Sequence, residues 1–563
     1  MRCSHSSMSY GLCKHSLTIW SVTFLFLLNG CTSLLKSDDD LPDGPSYVSK
    51  NLSQTFKAKL QDNLPAPAEK WWEDFKNAEL NLIVETSLIN NYDLRMAIAR
   101  VAQVRAQAGI VKSAEYPTLD ANIRYSNQAP VPGPGYATDP STWTTQPLWQ
   151  IGGLVGYEVD LWGKKGFDTQ SAYSQALASE FNRQAVALSL VGDVVSTYFQ
   201  VLSLKERINV NEQNLNAIKR VSEGLEKRLG MGDSTLIDLS QQLILQKNTD
   251  AQVSSLRLQK EKTQNRLAVL LGMAPSNITI SESKVEGIKA PLVNPGLPSD
   301  LLCRRPDIRK AESELESAQA DLYAARANLF PNFAITGAGG YGSFLLSQLA
   351  MPQSLFYNIT SSLVQNIFDA GKRRSQIQAA SAKNVELLES YASTVMSAMR
   401  DVEDSLSAVA LTAKQYSALD DARVHARRLA LMSEKVVEKG GMDYVQLYEI
   451  QKIVLNSEDA AISAKSDQLI ASVNLYKSLG GSLQPKDGVC LGEALPQANA
   501  QWIEKTKKSD SVFVSKPELI ATPTAEISLK KSDTPLPDSE LRAMNTPIVR
   551  PAVSVNFDET VGN

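Results

Sequence analysis

The chain has 563 residues, 43% hydrophobic and 21% charged, enough apolar material for several packed layers and too much for a disordered polymer. A formal net charge of −4 carries no basic excess, so nucleic acid is not an expected partner. Only three histidines occur (His5, His15 and His425). Zinc sites and Ser-His or Cys-His catalysis therefore have almost no material, and no enzyme, catalytic residue, metal site or cofactor is expected.

At the N-terminus, Arg2 and Lys14 stand in a stretch without Asp or Glu. An apolar run, Ser16–Leu28, follows, and then Asn29-Gly30-Cys31. This is the order of a secretory signal, and the run is short for a bilayer span. Leu28-Asn29-Gly30-Cys31 resembles the lipobox of bacterial lipoproteins. That resemblance implies removal of residues 1–30 and diacylation of Cys31 as the mature N-terminus. Thr32 after it, rather than Asp, favours the outer membrane. Cys303 and Cys490 lie far apart, form no disulfide framework, and are read as free. No later stretch approaches 18 apolar residues, so a membrane role falls to the lipid, to β-strands, or to both.

The remainder repeats itself once. At one constant offset, Asp93, Ala97, Ala106 and Pro117 meet Asp307, Ala311, Ala320 and Pro331. At an offset six residues shorter, Gly163-Lys164 meets Gly371-Lys372, Asp193-Val194 meets Asp401-Val402, Gly232 meets Gly440, and Leu271-Gly272 meets Leu479-Gly480. The period is far too long for a solenoid and means two copies of one large unit. Each copy begins with a helical stretch, about 76–114 and 306–328, with Pro306 suited to a first helical turn. Strands follow. Leu119, Ala121, Ile123 and Tyr125 alternate, as do Trp149, Ile151, Val155, Tyr157, Val159 and Leu161. In the second copy the alternation falls on Phe333, Ile335 and Tyr341, and on Leu355, Tyr357, Ile359 and Leu363. The Gln128–Pro147 and Ser343–Gln353 segments read as external loops. Two strands of about ten residues per copy have membrane-barrel length, yet four strands cannot close a barrel. Two long helices then close each copy, about 166–229 and 235–271, then about 372–438 and 444–479. Leu188, Val191, Val195, Tyr198 and Leu202 step by three and four, as in a coiled coil. A helix of that length, roughly 95 Å, does not fit in a compact globule and must project.

Residues 482–563 hold eight of the 25 prolines and no periodicity, and read as a disordered tail. Gly337, Gly339 and Gly342 satisfy a G-x-G-x-x-G pattern, but inside a strand with no helix opening after it, so a nucleotide site is rejected. The carboxylates Asp401, Glu403 and Asp404 read as a solvated helix face. His425 reads as a surface or packing residue.

Several of these motifs together resemble the TolC/OprM outer-membrane efflux family, most closely its lipoprotein branch. The carriers are Trp71-Trp72 with Phe75 and Leu80, Arg304-Arg305-Pro306-Asp307-Ile308, Ala324-Ala325-Arg326-Ala327 before Phe330-Pro331, and Ile367-Phe368-Asp369-Ala370-Gly371-Lys372-Arg373. The first-copy partner of the last is Glu158-Val159-Asp160-Leu161-Trp162-Gly163-Lys164. The match spans about 65–481, and the long tail departs from the family pattern. The resemblance implies an α+β membrane protein that is a homotrimer. Four strands per chain would build a shared barrel of about twelve strands, above a long periplasmic α-helical barrel. Its expected divisions are a signal (1–30), a lipidated linker (31–64), a first repeat (65–274), a linker (275–304), a second repeat (305–481) and the tail (482–563).

The function implied is a passive exit duct for drugs or toxic small molecules, lipid-anchored in the outer membrane. A periplasmic membrane-fusion adaptor would join it to an inner-membrane pump of the resistance-nodulation type. The helix turns would contact the adaptor through Arg228, Gly232, Gly440, Gly441 and Asp443. Val445 and Glu449 would form apolar and carboxylate rings at a periplasmic gate. The family usually has Leu and Asp there. The residues alone leave Val445 as a heptad core residue and Glu449 as a surface charge. Rival functions are a type I protein-secretion or metal-ion duct, and a coiled-coil periplasmic lipoprotein without a channel.

Overall fold

A computed structural model describes residues 44–49, 55–57, 68, 70–128, 146–282, 284–438, 441 and 444–481. The segment bearing Cys31, most of the first external loop, Gly440, Asp443 and the 482–563 extension lie outside the described residues.

The described chain opens with α1 (Gly44–Ser49) and a 3-10 turn at Trp71–Phe75. Next come α2 (Ala78–Asn90), α3 (Tyr92–Ser113), β1 (Thr118–Gln128), β2 (Gln146–Val159), α4 (Lys164–Met231) and α5 (Leu236–Leu270). The short α6 (Leu301–Arg304) leads to α7 (Pro306–Ala327), β3 (Asn332–Ser343), β4 (Leu355–Val364), α8 (Lys372–Glu438) and α9 (Tyr444–Ser478). One expectation fails at the start. The single helix over 76–114 is two helices, because Asn91 breaks it. Its backbone is extended (φ −61, ψ 128), its side-chain oxygen accepts from the Leu94 amide at 3.0 Å, and its amide nitrogen donates to the Leu270 carbonyl at 3.0 Å. A side chain that caps one helix and ties down the end of another is worth more than one continuous helical turn. The second external loop also has structure, two 3-10 turns at Leu346–Gln348 and Pro352–Ser354.

All four strands form one antiparallel sheet in the order β1-β2-β3-β4. Its register explains the alternation in the sequence. Leu119, Val155, Gly337 and Ile359 stand in one row, and Ile123, Ile151, Tyr341 and Leu355 in another. The rows between them carry Thr118, Gly156, Thr336 and Thr360, or Asp120, Leu154, Ala338 and Asn358. The sheet therefore has one apolar face and one largely polar face. The apolar face is open: Leu119 is 76% exposed, Ile123 80%, Tyr357 83% and Ile359 77%.

The pattern glycines Gly337, Gly339 and Gly342 all lie on β3 with ordinary room around them; the close approach of the two central strands falls on two other glycines. Gly152 and Gly340 are register partners. A Cβ on Gly152 would sit 2.5 Å from the Gly339 carbonyl oxygen, and one on Gly340 would collide with the Ile151 carbonyl. Only hydrogen fits at this pair.

Below the sheet stand α4, of 68 residues, and α8, of 67, each roughly 100 Å long. Helix α4 packs against α5, α7 and α9, and α8 against α7 and α9. Heptad positions drive this. Leu202, Val195 and Tyr198 are fully buried, as are Val402 and Leu406 on α8. The largest core is a belt partway down the long helices. There Trp71 stacks on Tyr476 with ring centroids 5.0 Å apart, and Phe75 meets Phe199 at 5.1 Å. The long helix at Lys164–Gly230 does contain a stretch apolar enough to cross a bilayer, but 56% of that stretch is buried inside the protein. Its apolarity is that of the belt.

Gly340→Ala should sharply reduce the yield of folded, detergent-extracted protein, because backbone blocks the new methyl. Gly342→Ala should not, since its nearest neighbours are side-chain carbons at 3.6 Å. Equal yields for both variants would contradict the close β2–β3 approach.

Candidate functional site

Four levels of the molecule bear on what it can do. The first is the junction between sheet and helices. Ala370 (φ 53) and Gly371 (φ 86) take two successive left-handed conformations between β4 and α8. Asp369 fixes this reversal: its carboxylate accepts from the amides of Gly371 at 3.0 Å and Arg373 at 3.3 Å. The corresponding turn after β2 uses Gly163 (φ 76), with Asp160 accepting from the Gly166 amide at 2.9 Å. Trp162 lies stacked on Phe330 at 4.8 Å and donates its indole N–H to the Pro331 carbonyl at 2.7 Å. Lys165 Nζ reaches the Ala114 and Glu158 carbonyls at 2.8 and 3.1 Å. Both motifs thus turn an extended chain into a long helix while holding the two halves together.

At the belt, Arg305 is almost buried. It donates two bonds to the Asp307 carboxylate (3.1 and 2.7 Å), one to the Ser478 carbonyl (2.9 Å) and one to Asp401 (3.3 Å). Burial alone would lower its pKa, but the bonds and charges of Asp307 and Asp401 outweigh that and raise it. Truncating a buried, paired guanidinium typically costs about 3 kcal/mol. Asp401 thus departs from the expected solvated face, and Glu403 accepts from the Lys57 amide at 2.8 Å. Across the belt Glu79 accepts from the Ser281 amide and hydroxyl, the Glu282 amide and the Tyr198 hydroxyl (2.6, 2.7, 3.1 and 2.8 Å). Its burial would raise the pKa; these donors overcome that and lower it. Cys303 is not free: it is disulfide-bonded. His425 is exposed, as read.

Farther down, the two helical hairpins meet through polar links that local sequence pattern gives no hint of. Arg207 grips Asp459 with two bonds of 2.8 Å. Glu458, nearly buried, accepts from Asn214 at 2.9 Å and from Arg427 at 2.7 Å. Nearer the tips Gln242 donates to Gln451 at 2.9 Å. Beside it a cavity of about 440 Å³ separates Ile218 and Val221 of α4 from Leu447 and Val454 of α9.

The hairpin turns end the molecule. Arg228 lies in the last turn of α4, and Gly232 (φ 82) closes the helix left-handed, as the turn requires. Thr235 and Asp238 form a capping box that starts α5. In the second turn Gly441 is exposed, with its amide on the Val436 carbonyl at 3.0 Å. Gly440 and Asp443 are outside the described residues. Val445 and Glu449 lie one turn apart at the start of α9, on one face, and both are exposed. Leu447 between them is buried. Val445 is therefore not a core residue within the protomer.

On α7, Glu316 is half-buried beside Glu312. Arg309, which also covers the Phe181 ring at 4.3 Å, opposes their effect. Burial foremost, then Glu312, pushes the Glu316 carboxyl up to about 8.

Known proteins share this arrangement. A family model described as "Outer membrane efflux protein" matches residues 83–273 and 297–481. The pyoverdine export outer membrane protein OpmQ of Pseudomonas aeruginosa is 31% identical over 417 residues, covering 74% of this chain and 88% of OpmQ. The probable outer membrane lipoprotein SilC of Salmonella typhimurium is 26% identical, covering 83% and 98%. Among solved structures, the outer-membrane channel OprN superposes with a TM-score of 0.70 at 27% identity, covering 77% of this chain and 98% of OprN.

Glu316 gives a pH test. A carboxyl held above its ordinary 4.5 stabilises the fold fully below that pH, and the contribution is lost as pH rises through about 8. Glu316→Gln keeps the neutral form at every pH. Its unfolding temperature should exceed the parent's at pH 8.5 and converge with it at pH 4. Identical pH profiles would remove Glu316 as the titrating group.

Proposed function

The chain belongs to the outer membrane efflux protein family, and from that membership we propose that three copies share one barrel, with the second hairpin of each copy closing its periplasmic end. The protein is the outer-membrane channel component of an efflux system, lipid-anchored and extending into the periplasm. It is a duct rather than an enzyme, and works with an adaptor and an inner-membrane pump that supplies the driving energy.

One observation carries the trimer: the sheet is open. Among the described residues β1 and β4 each have one strand neighbour, and the sheet is apolar on one face and largely polar on the other. Unpaired strand edges are not tolerated in hydrocarbon, so the sheet needs copies of itself. Three copies give about twelve strands, with the apolar rows towards lipid and the polar rows towards a water-filled lumen. The roughly 100 Å helices then continue the lumen into the periplasm. An internal duplication accounts for the paired strand-turn-helix units.

At the far end, Val445 and Glu449 from three chains would form two stacked rings. Three ionised carboxylates near an axis repel one another and attract cations. The turns at Arg228 and Gly232, and at Gly440, Gly441 and Asp443, contact the adaptor. The pump partner is of the resistance-nodulation type, and the cargo is a small organic molecule, as the OpmQ relative's pyoverdine is. Cys31 carries the lipid anchor.

Two experiments test this reading. Purified trimers in planar bilayers should carry single-channel current, and Val445→Ala with Glu449→Ala should raise it without loss of assembly; unchanged conductance removes the gate. Cys31→Ser should abolish incorporation of labelled palmitate. Label retained in that variant would reject the lipobox.

A further inference from the structure

The strand registers carry the same correspondence between the two halves as the sequence. The first hairpin pairs Thr118 with Gly156, and the second pairs their counterparts, Asn332 with Val364. In that correspondence α3 matches α7 and α4 matches α8. Positions buried inside each half agree: Leu94 with Ile308, Val101 with Leu315, and Val194 with Val402.

One face of each half does not agree. Inside the chain, α7 of the second half seats on α4 of the first. Ser317 Oγ lies 2.9 Å from Ser171 Oγ, Tyr323 meets Phe167 at 5.3 Å, and Arg309 covers the Phe181 ring at 4.3 Å. Ser171, Ala178 and Phe181 of α4 are buried, whereas their counterparts on α8, Ala379, Glu386 and Glu389, are exposed. Ser317, Ala320 and Ala324 of α7 are buried, whereas their counterparts on α3, Gln103, Ala106 and Ile110, are exposed. The chain therefore displays, on opposite flanks, both sides of an interface that it builds once within itself.

We propose that α3 of each copy seats on α8 of a neighbouring copy as α7 seats on α4 within the chain, fastened by an ion pair between Arg95 and Glu389 of the second copy. The proposal rests on the shared barrel above and names the helical surface that joins its members. The correspondence puts Arg95 where Arg309 stands and Glu389 where Phe181 stands. A cation that covers a ring inside the chain thus meets a carboxylate between chains. Arg95 is exposed, over its own Tyr92 ring at 6.0 Å. Glu389 accepts from the Tyr47 hydroxyl through Oε1 at 2.7 Å, and its second oxygen can take a guanidinium. The sheet points the same way. Within the chain β2 pairs with β3, and these strands continue into α4 and out of α7. The two outer strands, β1 and β4, continue out of α3 and into α8. Strand edge and helix face therefore lie on the same two flanks, and a head-to-tail contact between them closes into a ring when its rotation does.

The test substitutes Gln103→Cys together with Ala379→Cys, at the counterparts of the two serines whose hydroxyl oxygens lie 2.9 Å apart. The full-length double variant, oxidised in outer membranes with copper phenanthroline and run without reduction, should migrate as covalent dimers and trimers. Each single variant should migrate as the parent does. A double variant that stays a single chain, while light scattering of the extracted protein gives three copies, overturns this surface and spares the shared barrel. A monomer by light scattering overturns both. Arg95→Glu should lower the trimer fraction by about tenfold, and adding Glu389→Arg should restore it. Failure of the second change to restore assembly overturns the ion pair.

Discussion

Backbone hydrogen bonding in hydrocarbon is the constraint on which this structure depends. A four-stranded sheet with one apolar and one largely polar face is unfit for water on the first side and for lipid along both edges. Closure by copies of itself, as proposed above, would answer both demands at once. The rest of the chain follows from having to present those strands at a fixed tilt and register. The turns at Gly163 and Ala370-Gly371 convert each strand pair into a helix hairpin without slack, and Asp160 and Asp369 lock the reversals by accepting amide protons. Trp162 on Pro331 then fastens the first half's junction to the second's.

Helices of this length cannot hold their positions by local propensity alone. Isolated helical stability grows slowly with length, and most of it in proteins comes from packing. Two kinds of packing share the work here. The belt supplies a dry aromatic core, with Trp71, Phe75, Phe199 and Tyr476 in mutual contact. Below it polar links join the helices, Arg207 with Asp459, Asn214 and Arg427 with Glu458, Gln242 with Gln451, among buried apolar residues such as Ile218, Leu225 and Leu256.

Local order was legible in the sequence wherever it is periodic. Period-two alternation located all four strands, and three-four stepping with glycine turns located the long helices to within a few residues. The break at Asn91 was not legible, because it depends on a cap and on a distant partner, Leu270. Asp401 looked like one of several solvated carboxylates, since its partner Arg305 lies 96 residues away. The coil-to-coil pairs have the same character: Arg207 and Asp459 are 252 residues apart. The Cys303 bond was not legible either, because no local pattern around this residue marks its thiol as paired. The pattern glycines Gly337, Gly339 and Gly342 lie in β3, the strand that their alternation predicts.

The two halves also differ where the proposed constriction sits. In the register that lays Gly232 on Gly440 and Leu239 on Leu447, the counterparts of Val445 and Glu449 are Ile237 and Gln241. The apolar position is kept, and Ile237 is exposed as Val445 is. The charged position is not kept, because a neutral amide stands where the second half has a carboxylate. In a closed trimer the six hairpins would therefore carry a roughly six-fold apolar ring but only a three-fold ring of negative charge. Repulsion among ionised groups grows as they approach, so in the proposed ring Glu449 would resist convergence of the second hairpins, a contribution that Gln241 would not make in the first.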